Sequence, residues 1–559
     1  MLVLTPEDAA IATPGELTLR EPAPGHWTAE CGGVWLDDPD DPRGHAERFA
    51  RPEDLRGVDA VVLVGGGLGY RVERLRALGV PRIVVLEPFP ELRALMTPGG
   101  ALAPRYEATL VAADLAELQR CVAETHATPD QLRVFSSSAY ARLFPGLLDR
   151  CRHFIQSGLA MGELAYESLQ YRARLGALHT AENVQRLTGT ARVDRLGMPL
   201  AGTPAFIVSA GPSLDRNVHL IDEAAKRGPV FAVNTAAKAI EYLGGPVDVL
   251  VTIESLPVGD QLAQSARALL LDISAHASSF DAPIEPKVVT FGLERAQYVA
   301  DHLGVGEFPT AGNVGTFAVQ AALNLGANPV VLLGQDCAFP DGRMYASHCD
   351  RDMWRARVEG GDVVLECDEE LWTLFSEYEL PAAQVTELVK LPRWGGEGLV
   401  ASNPMFARIA AYLASLSLAR PEYFDRRLVN ATEGGARIDG WEEARLEDLL
   451  AELPVREHGL HAALAHTPRY TGAEIDRVRK TIQSELRAVE RMAGKCLDKR
   501  GPARDEAAAK LRRAAAKTPL VNGHATGRLL TLRRENPPDR ARQTFREIKS
   551  SARLLRFAV

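Results

Sequence analysis

The chain has 559 residues, more than one compact core usually organises, so two or three domains are expected. Its 46% hydrophobic and 25% charged residues are ordinary for a globular protein, and a net charge of -9 argues against a nucleic-acid-binding protein. No apolar run is long enough for a membrane span and no leader-like pattern opens the sequence, so a cytoplasmic location is expected.

The cysteines are seven in number and widely scattered, which favours reduced thiols over a disulfide framework. Cys337, His348 and Cys349 lie close in sequence, but their spacing matches no zinc pattern. The sequence therefore predicts no metal ligand.

The first part of the chain, residues 1–195, predicts an N-terminal α/β domain with a helical connector. Ala60–Val64 has the apolar composition of a buried strand, and residues 82–87 form the next strand after a glycine-rich turn and a helix. Residues 156–195 have few helix breakers and carry apolar residues at helical spacing, which indicates helix.

The central part, residues 196–440, predicts a second α/β domain built on a mainly parallel sheet covered on both faces. Short apolar runs alternate with helical stretches, one of which covers about Val314 to Leu325. The predicted strands are residues 205–209, 230–233, 249–253, 288–290 and 329–334.

The last part, residues 441–559, predicts a C-terminal helical domain interrupted near Gly501-Pro502 and Pro537-Pro538. Residues 501–559 hold fourteen Lys and Arg against five Asp and Glu, a local charge of +9. Such a tail could meet an acidic protein partner, an anionic lipid or a nucleic acid, but a solvated helical face is the favoured interpretation.

A glycine-rich turn, Gly65-Gly-Gly-Leu-Gly-Tyr70, follows the first buried strand, and Glu87 ends the next one. Glycines there let a ligand approach the backbone, and a downstream acid can hold a ribose, as in dinucleotide or methyltransferase sites. The same glycines are also typical of a tight turn that binds nothing. Both interpretations stay open on the sequence.

Polar groups follow several strands of the central region, where ligands of open α/β sheets bind. Gly211, Pro212 and Ser213 join a strand to a helix and could cradle a phosphate, with Ser213 as helix cap or donor. Asn234 and Glu254 each stand at the end of a later strand. The alternative is that these two residues only cap turns.

A second loop-to-helix cradle precedes the last apolar strand of the central region and contains Thr310, Gly312, Asn313, Gly315 and Thr316. Asp336 stands at the end of that strand, and Tyr345 and His348 follow it. A phenol and an imidazole near a phosphate suit departure of a nucleotide and deprotonation of an attacking hydroxyl. A lone histidine in a loop is, alternatively, simply exposed.

These motifs together resemble the motility accessory factor family over about residues 25–440. The elements that carry the resemblance are Trp35-Leu-Asp-Asp-Pro39, Gly67-Leu-Gly-Tyr70, Glu87-Pro88, Gly211-Pro-Ser-Leu214, Gly334-Gln-Asp-Cys-Ala-Phe339 with Asp341-Gly342, and Asn430-Ala-Thr-Glu-Gly-Gly435. The family's central domain is similar to bacterial sialyltransferases, which implies a Rossmann-like, sialyltransferase-like parallel sheet.

The resemblance implies transfer of a nonulosonic, sialic-acid-like sugar from a CMP-activated donor to Ser or Thr of flagellin or another surface protein. Gly211 to Ser213, Asn234 and Gly312 to Thr316 would hold the nucleotide, and Tyr345 would meet the leaving phosphate. No cofactor is required, although Mg²⁺ is left open, as is an oligomer. The sialyltransferase tyrosine two positions after the aspartate corresponds to Ala338 here. The catalytic histidine of the sialyltransferases lies farther downstream, so His348 is only a local substitute for it.

Two other functions remain open on the sequence. A related archaeal branch resembles 6-hydroxymethylpterin diphosphokinase, in which Asp336 and Asp341 would bind Mg²⁺ for pyrophosphoryl transfer from ATP. That branch is shorter, and the additional domains here favour the glycosyltransferase. A non-catalytic protein that binds flagellin is the third alternative.

Overall fold

The structure is a computed structural model. It describes residues 11–24, 26–97, 99–107, 109–125, 127–168, 173–258, 262–292, 294–305, 313–349, 351–367, 383–418, 423, 425–499, 502–535 and 539–559. The α/β class predicted from the sequence is confirmed, with a large parallel sheet and a predominantly helical C-terminal part. None of the described helices is both long and apolar enough to cross a membrane.

The chain packs as two compact units. The first comprises the described residues of Met1–Tyr171 and Thr526–Arg540, and the second those of Arg172–Ala525 and Ala541–Val559. The sequence predicted three domains with boundaries after residues 195 and 440, and this division stays a prediction.

The first unit contains a parallel sheet in the order β6-β5-β4-β7 and a small antiparallel sheet in the order β1-β2-β3. Every residue of the central strand Ala60–Val64 is buried, as its apolar sequence predicts. The strands, numbered in chain order, are β1 Thr18–Ala23, β2 His26–Cys31, β3 Val34–Trp35, β4 Ala60–Val64, β5 Arg82–Leu86, β6 Leu110–Ala112 and β7 Leu132–Ser136.

Helices connect the parallel strands of the first unit. The longest, Leu147–Ser168, packs against Leu115–Thr125. The α-helices before residue 172 are Pro42–Glu47, Tyr70–Ala77, Pro90–Met96, Leu115–Thr125, Ser138–Leu143 and Leu147–Ser168, and the 3-10 helices are Pro52–Leu55 and Ala103–Arg105. The predicted connector of residues 156–195 falls partly outside the described residues, and its last part contains a short strand.

The second unit is built on a sheet of nine described strands, all parallel, in the order β21-β20-β14-β9-β10-β11-β12-β13-β8. Its inner strands are buried along their whole length, as expected when helices cover both faces. The strands are β8 Ala191–Arg192, β9 Ala205–Val208, β10 Val230–Val233, β11 Val249–Thr252, β12 Leu269–Asp272, β13 Lys287–Thr290, β14 Val330–Leu333, β20 Leu428–Asn430 and β21 Glu442–Glu443.

Two small antiparallel sheets are inserted after β14. They comprise β15 Arg355–Glu359, β16 Asp362–Glu366, β17 Ala383–Glu387, β18 Val389–Pro392 and β19 Leu399–Ser402. The sequence analysis did not find these strands, because they are short and mostly exposed and therefore lack a continuous apolar run.

The α-helices of the second unit before residue 441 are Arg174–Asn183, Leu214–Asn217, Ile221–Ala225, Asn234–Tyr242, Ala277–Asp281, Glu294–Leu303, Val314–Asn324 and Pro404–Leu418. The 3-10 helices are Val184–Leu187, Val193–Arg195, Val218–Leu220 and Pro340–Gly342. The single helix predicted after Gly211 is instead two short α-helices joined by a 3-10 turn.

The chain after residue 441 is helical, as predicted, except for β21. Its helices are Leu446–Glu452, Leu460–His466, Gly472–Asp498, Pro502–Ala516, Pro519–Glu535 and Arg540–Ala558. The helix Gly472–Asp498 buries a regular apolar stripe and begins with a capping box between Thr471 and Glu474. The predicted interruption at Pro537-Pro538 lies outside the described residues.

The strand order places a topological switch point between β9 and β14. From β9 the chain builds β10 to β13 outward on one side, and β14 then pairs with the other edge of β9. In open parallel sheets, the connections that follow two such strands diverge to opposite faces and leave a crevice at their carboxyl ends. This is the edge at which the polar motifs of the central region stand.

Candidate functional site

A cleft of about 390 Å³ lies at the switch point of the large sheet. Both strands of the switch contribute, through Ser209 to Gly211 after β9 and Gly334 to Ala338 after β14. Its other lining residues are Val233, Thr235, Glu254, Asn313, Val314, Gly315, Met344, Tyr345, Arg351, Trp354, Leu365, Gln384, Met405, Phe406 and Ile409. Of the residues predicted as a site, the cleft thus collects Gly211, Glu254, Asn313, Gly315, Asp336 and Tyr345.

Close backbone packing around Asp336 explains the glycines that flank the cleft. A Cβ on Gly211 would lie 2.5 Å from the carbonyl oxygen of Gly334 and would overlap the Asp336 carboxylate. A Cβ on Gly435 would lie 2.5 Å from the Asp336 Cα, and Gly435 also has a φ of +69°. Glycine is required at both positions because the neighbouring backbone occupies the space of a side chain.

Asp336 is buried and fastens the two strand ends together. Its Oδ2 accepts hydrogen bonds from the Ser213 hydroxyl at 2.7 Å and the Ser213 N–H at 3.2 Å. Burial raises the pKa of Asp336 from 3.8 to about 6, although these hydrogen bonds act in the opposite direction. Ser213 is 2% exposed and neither caps its helix nor lines the cleft, so the predicted cap is wrong and its hydroxyl positions Asp336.

Tyr345 is held at the cleft by a tethered loop. The Ala346 N–H donates to the Ala210 carbonyl at 2.8 Å, which fixes the loop to the turn after β9. Asp215 accepts hydrogen bonds from Arg343 at 2.7 Å and from the Ser347 N–H at 2.8 Å. Tyr345 therefore lines the cleft beside the turn that contains Gly211, and its contact with a leaving phosphate stays a prediction.

The second predicted cradle is described from Asn313 onward, and Thr310 and Gly312 lie outside the described residues. Asn313 caps the helix Val314–Asn324, since its Oδ1 accepts the Thr316 N–H at 2.8 Å. Thr316 is buried and completes the capping box, so it does not line the cleft. Gly315 lies against Gln335 and Ser209, which leaves no room for a side chain.

Asn234, Glu254 and Pro212 differ in their relation to the cleft. Glu254 lines it, with one carboxylate oxygen accepting the Ser255 N–H at 3.0 Å. Asn234 is 3% exposed and begins the helix Asn234–Tyr242, while its neighbour Thr235 lines the cleft. Pro212 is part of the turn after β9 but does not line the cleft.

His348 is exposed and does not line the cleft. Its ring stacks on Tyr242 with 4.2 Å between centroids, and its backbone adopts a φ of +65°. The structure therefore does not bring His348 together with Asp336 and Tyr345, and its predicted role as base has no geometric support. Asp341 is likewise exposed and absent from the lining of the cleft.

The sequence analysis missed Arg351, Trp354 and Gln384, which come from the inserted loops and small sheets. Arg351 places a cationic side chain in a cleft whose acidic lining residues are Glu254 and Asp336. Trp354 adds an indole on which a base or sugar ring can pack. No local pattern marks these three residues, since they reach the cleft only through the fold of the insertion.

The loops at Trp394-Gly-Gly396 and Asn430 to Gly435 pack on each other beside Asp336. Trp394 donates from its indole to the Asn430 carbonyl at 2.9 Å and from its backbone to the Gly435 carbonyl at 3.0 Å. The Ala436 N–H then donates to the Asp336 carbonyl at 2.7 Å. The two glycine-bearing motifs thus fix the backbone on which Asp336 stands.

The glycine-rich turn of the first unit is filled by the protein's own side chains. The Leu68 N–H donates to Asp37 Oδ2 at 3.0 Å, and the Gly67 N–H donates to Glu87 Oε2 at 3.2 Å. Added Cβ atoms would overlap the Tyr140 ring at Gly65 and lie 2.7 Å from Asp37 at Gly67. The tight-turn interpretation therefore fits, because protein carboxylates occupy the amides that a cofactor phosphate would use.

Glu87 is buried beside that turn and accepts the Tyr140 hydroxyl at 2.6 Å. Burial raises the pKa of Glu87 from 4.5 to about 7, although the Tyr140 hydrogen bond acts to lower it. Asp37 pairs with Arg71 at 3.0 Å, which neutralises the second buried acid. Glu87, which one of the two open interpretations assigned to a ribose, thus forms part of the core of the first unit.

The solved structure of a MAf glycosyltransferase from Magnetospirillum magneticum AMB-1 has a similar architecture. Its TM-score to this chain is 0.57 at 16% sequence identity, and the match covers 97% of this chain and 91% of that one. The fold is MAf-like. The predicted resemblance to motility accessory factors is thereby confirmed at the level of the fold, together with the expected glycosyltransferase-like architecture.

A family model described as 6-hydroxymethylpterin diphosphokinase MptE-like matches residues 178–342. This segment contains β8 to β14 and therefore both strands of the switch point. The second predicted resemblance is confirmed over that segment. No protein with a curated description matches the sequence.

Proposed function

We propose that this chain is a glycosyltransferase that moves a nonulosonic sugar from a CMP-activated donor to a Ser or Thr hydroxyl of flagellin or another surface protein. The observation that carries the proposal is the cleft at the switch point of a MAf-like fold. It combines the turns that follow β9 and β14, a cation and an aromatic ring in one concave site.

The nucleotide would lie along the carboxyl ends of β9 and β14. Gly211 and Gly315 both line the cleft, and Arg351 supplies the positive charge that a phosphate or a sugar carboxylate requires. Trp354 would pack against the cytosine or the sugar ring. Asp336 lines the cleft and also holds the turn at Ser213.

In the transfer step the bond between the anomeric carbon and the phosphate oxygen breaks and CMP departs. The acceptor hydroxyl oxygen forms the new bond to the same carbon and releases its proton. Tyr345 would donate a hydrogen bond to the departing phosphate, and the Glu254 carboxylate is the lining group that would receive the proton. His348 does not line the cleft, so it is not assigned the role of base.

Calorimetric titration of the purified protein with CMP and with ATP, each with and without Mg²⁺, tests the nucleotide site. We expect CMP to bind, and Arg351→Ala to weaken CMP binding by roughly tenfold to a hundredfold, because one charge-assisted hydrogen bond is worth about 1.5–3 kcal/mol. His348→Ala serves as the matched control, since its side chain is exposed and outside the cleft. Binding of CMP that is equal in all three proteins would contradict the placement.

The second candidate function is pyrophosphoryl transfer from ATP to a hydroxymethylpterin, and the family match over residues 178–342 favours it. It requires a Mg²⁺ site, for which the sequence offered Asp336 and Asp341. Asp336 is buried under Ser213 and Asp341 is exposed, so the two carboxylates do not face one lining surface. Mg²⁺-dependent ATP binding without a response to CMP would make this function the better one.

A further inference from the structure

Three metal-ligating side chains converge in the second unit, away from the cleft. Asp248, His458 and His461 each offer one ligand atom, and these atoms all lie within 4.8 Å of one another. Within the described residues, no other group of three or more His, Cys, Asp or Glu side chains has this geometry. Two histidines and one carboxylate, with a fourth position for water, form a donor set that suits zinc.

The arrangement of each ligand is already fixed by its surroundings. Asp248 is 1% exposed, and its Oδ2 accepts the Val230 N–H at 2.9 Å, which orients Oδ1 toward the histidines. His461 Nε2 lies 2.9 Å from that Oδ1. Two ligands bound to one tetrahedral zinc are about 3.3 Å apart, so the pair needs to open by only a few tenths of an ångström.

His458 provides the second observation. Its Nδ1 is buried and accepts or donates no hydrogen bond within the described part of the chain. A buried nitrogen without a partner costs free energy unless something binds it.

We propose that Asp248, His458 and His461 bind one Zn²⁺ ion, with water in the fourth position. Asp248 lies just before the amino end of β11, and Glu254 lies just after its carboxyl end. The zinc site and the cleft are therefore at opposite ends of the strands, roughly 20 Å apart. The ion would fasten the segment around the helix Leu460–His466 to the amino ends of the strands. It would not touch the reacting atoms of the proposed transfer.

Arg267 is the one cation that competes for this carboxylate within the described residues. Its guanidinium lies 3.3 Å from Asp248 Oδ1, and its side chain is 61% exposed. Because it is largely in solvent, it can turn away when zinc supplies the positive charge. Zinc binding is therefore expected to be slightly tighter in Arg267→Ala than in the unchanged protein.

The test is zinc titration of the intact protein after chelator treatment, with the bound metal counted by mass spectrometry. We expect one Zn²⁺ per chain, with the affinity reduced more than about 100-fold in His458→Ala and His461→Ala. His466→Ala is the matched control, because this exposed histidine lies on the same helix as His461 and is not one of the three proposed ligands. Asp248→Asn keeps an acceptor for the Val230 N–H, and it should fold and lose zinc.

The visible absorption of bound Co²⁺ gives a readout that does not depend on stability. Tetrahedral bands that disappear in the His458 and His461 variants would support the site. Saturating zinc should also raise the unfolding temperature by a few degrees in the unchanged protein, in Arg267→Ala and in His466→Ala, and it should not do so in the variants of the three ligands. No zinc bound by the unchanged protein, or equal binding in all variants, would overturn the proposal.

Discussion

Asp336 both lines the cleft and fixes its shape. The sequence placed it at a strand tip and left a metal-binding role open, and the structure shows a buried carboxylate that fastens Ser213. Strand-end placement could be predicted because a continuous apolar run marks β14. Side-chain partners could not be predicted, since Ser213 and Asp336 are more than a hundred positions apart.

Replacing Gly211 by alanine tests the close packing at the turn after β9. The added Cβ would lie 2.5 Å from the Gly334 carbonyl oxygen and would displace the Asp336 carboxylate. We expect a loss of roughly 1–3 kcal/mol in the free energy of unfolding and loss of CMP binding. Gly472→Ala is the control, because no atom lies within 4 Å of its added Cβ and it stands at a helix start. Equal stability of both variants would argue against the packing described.

The buried carboxylate of Asp336 also predicts a dependence of stability on pH. Its pKa is raised from 3.8 to about 6, so between these values the unfolded chain loses a proton that the folded protein keeps. The free energy of unfolding therefore falls as the pH rises from about 4 to 6, by up to roughly 3 kcal/mol from this group.

Urea unfolding of the intact protein across that range measures the effect. Asp336→Asn should flatten the decline, whereas Asn in place of the exposed Asp439 should leave the pH profile unchanged. A decline of the same size in Asp336→Asn would show that another group is responsible.

At the scale of elements, the glycine-rich turn after β4 shows where a local pattern is ambiguous. The βαβ unit and its turn could be predicted from periodicity and glycine spacing. The sequence could not show that Asp37 and Tyr140 fill the turn, because they come from distant parts of the chain and only the fold brings them to the glycines. For the same reason, the sequence could not show that Arg351 and Trp354, which lie next to the small sheets, line the cleft.

The filled turn predicts that the first unit binds no dinucleotide or S-adenosylmethionine. Asp37 and Glu87 already accept the backbone amides that a cofactor would need, and both are buried. Thermal unfolding of the intact protein with NAD⁺, NADH or S-adenosylmethionine should therefore match that of the protein alone. A rise that Glu87→Gln removes would show that the turn opens for a cofactor.

At the scale of the whole molecule, the strand order explains why the polar motifs meet. Motifs spread from residue 209 to residue 345 come together because β14 returns to the edge of β9 that β10 leaves unoccupied. The sequence predicted parallel strands and a site at their carboxyl ends, and it could not predict the order that creates the switch point. The likeness to the MAf glycosyltransferase, at a TM-score of 0.57, extends along almost the whole chain.

Transfer itself is the most direct test of the central claim. The purified protein is incubated with a CMP-activated nonulosonic sugar and flagellin, and both CMP release and the mass of flagellin are followed. The account predicts one CMP released for each sugar added to a Ser or Thr, with the rate reduced in Arg351→Ala and Tyr345→Phe and unchanged in His348→Ala. Tight CMP binding with no sugar added to any acceptor would contradict it and would point to a protein that binds flagellin without modifying it.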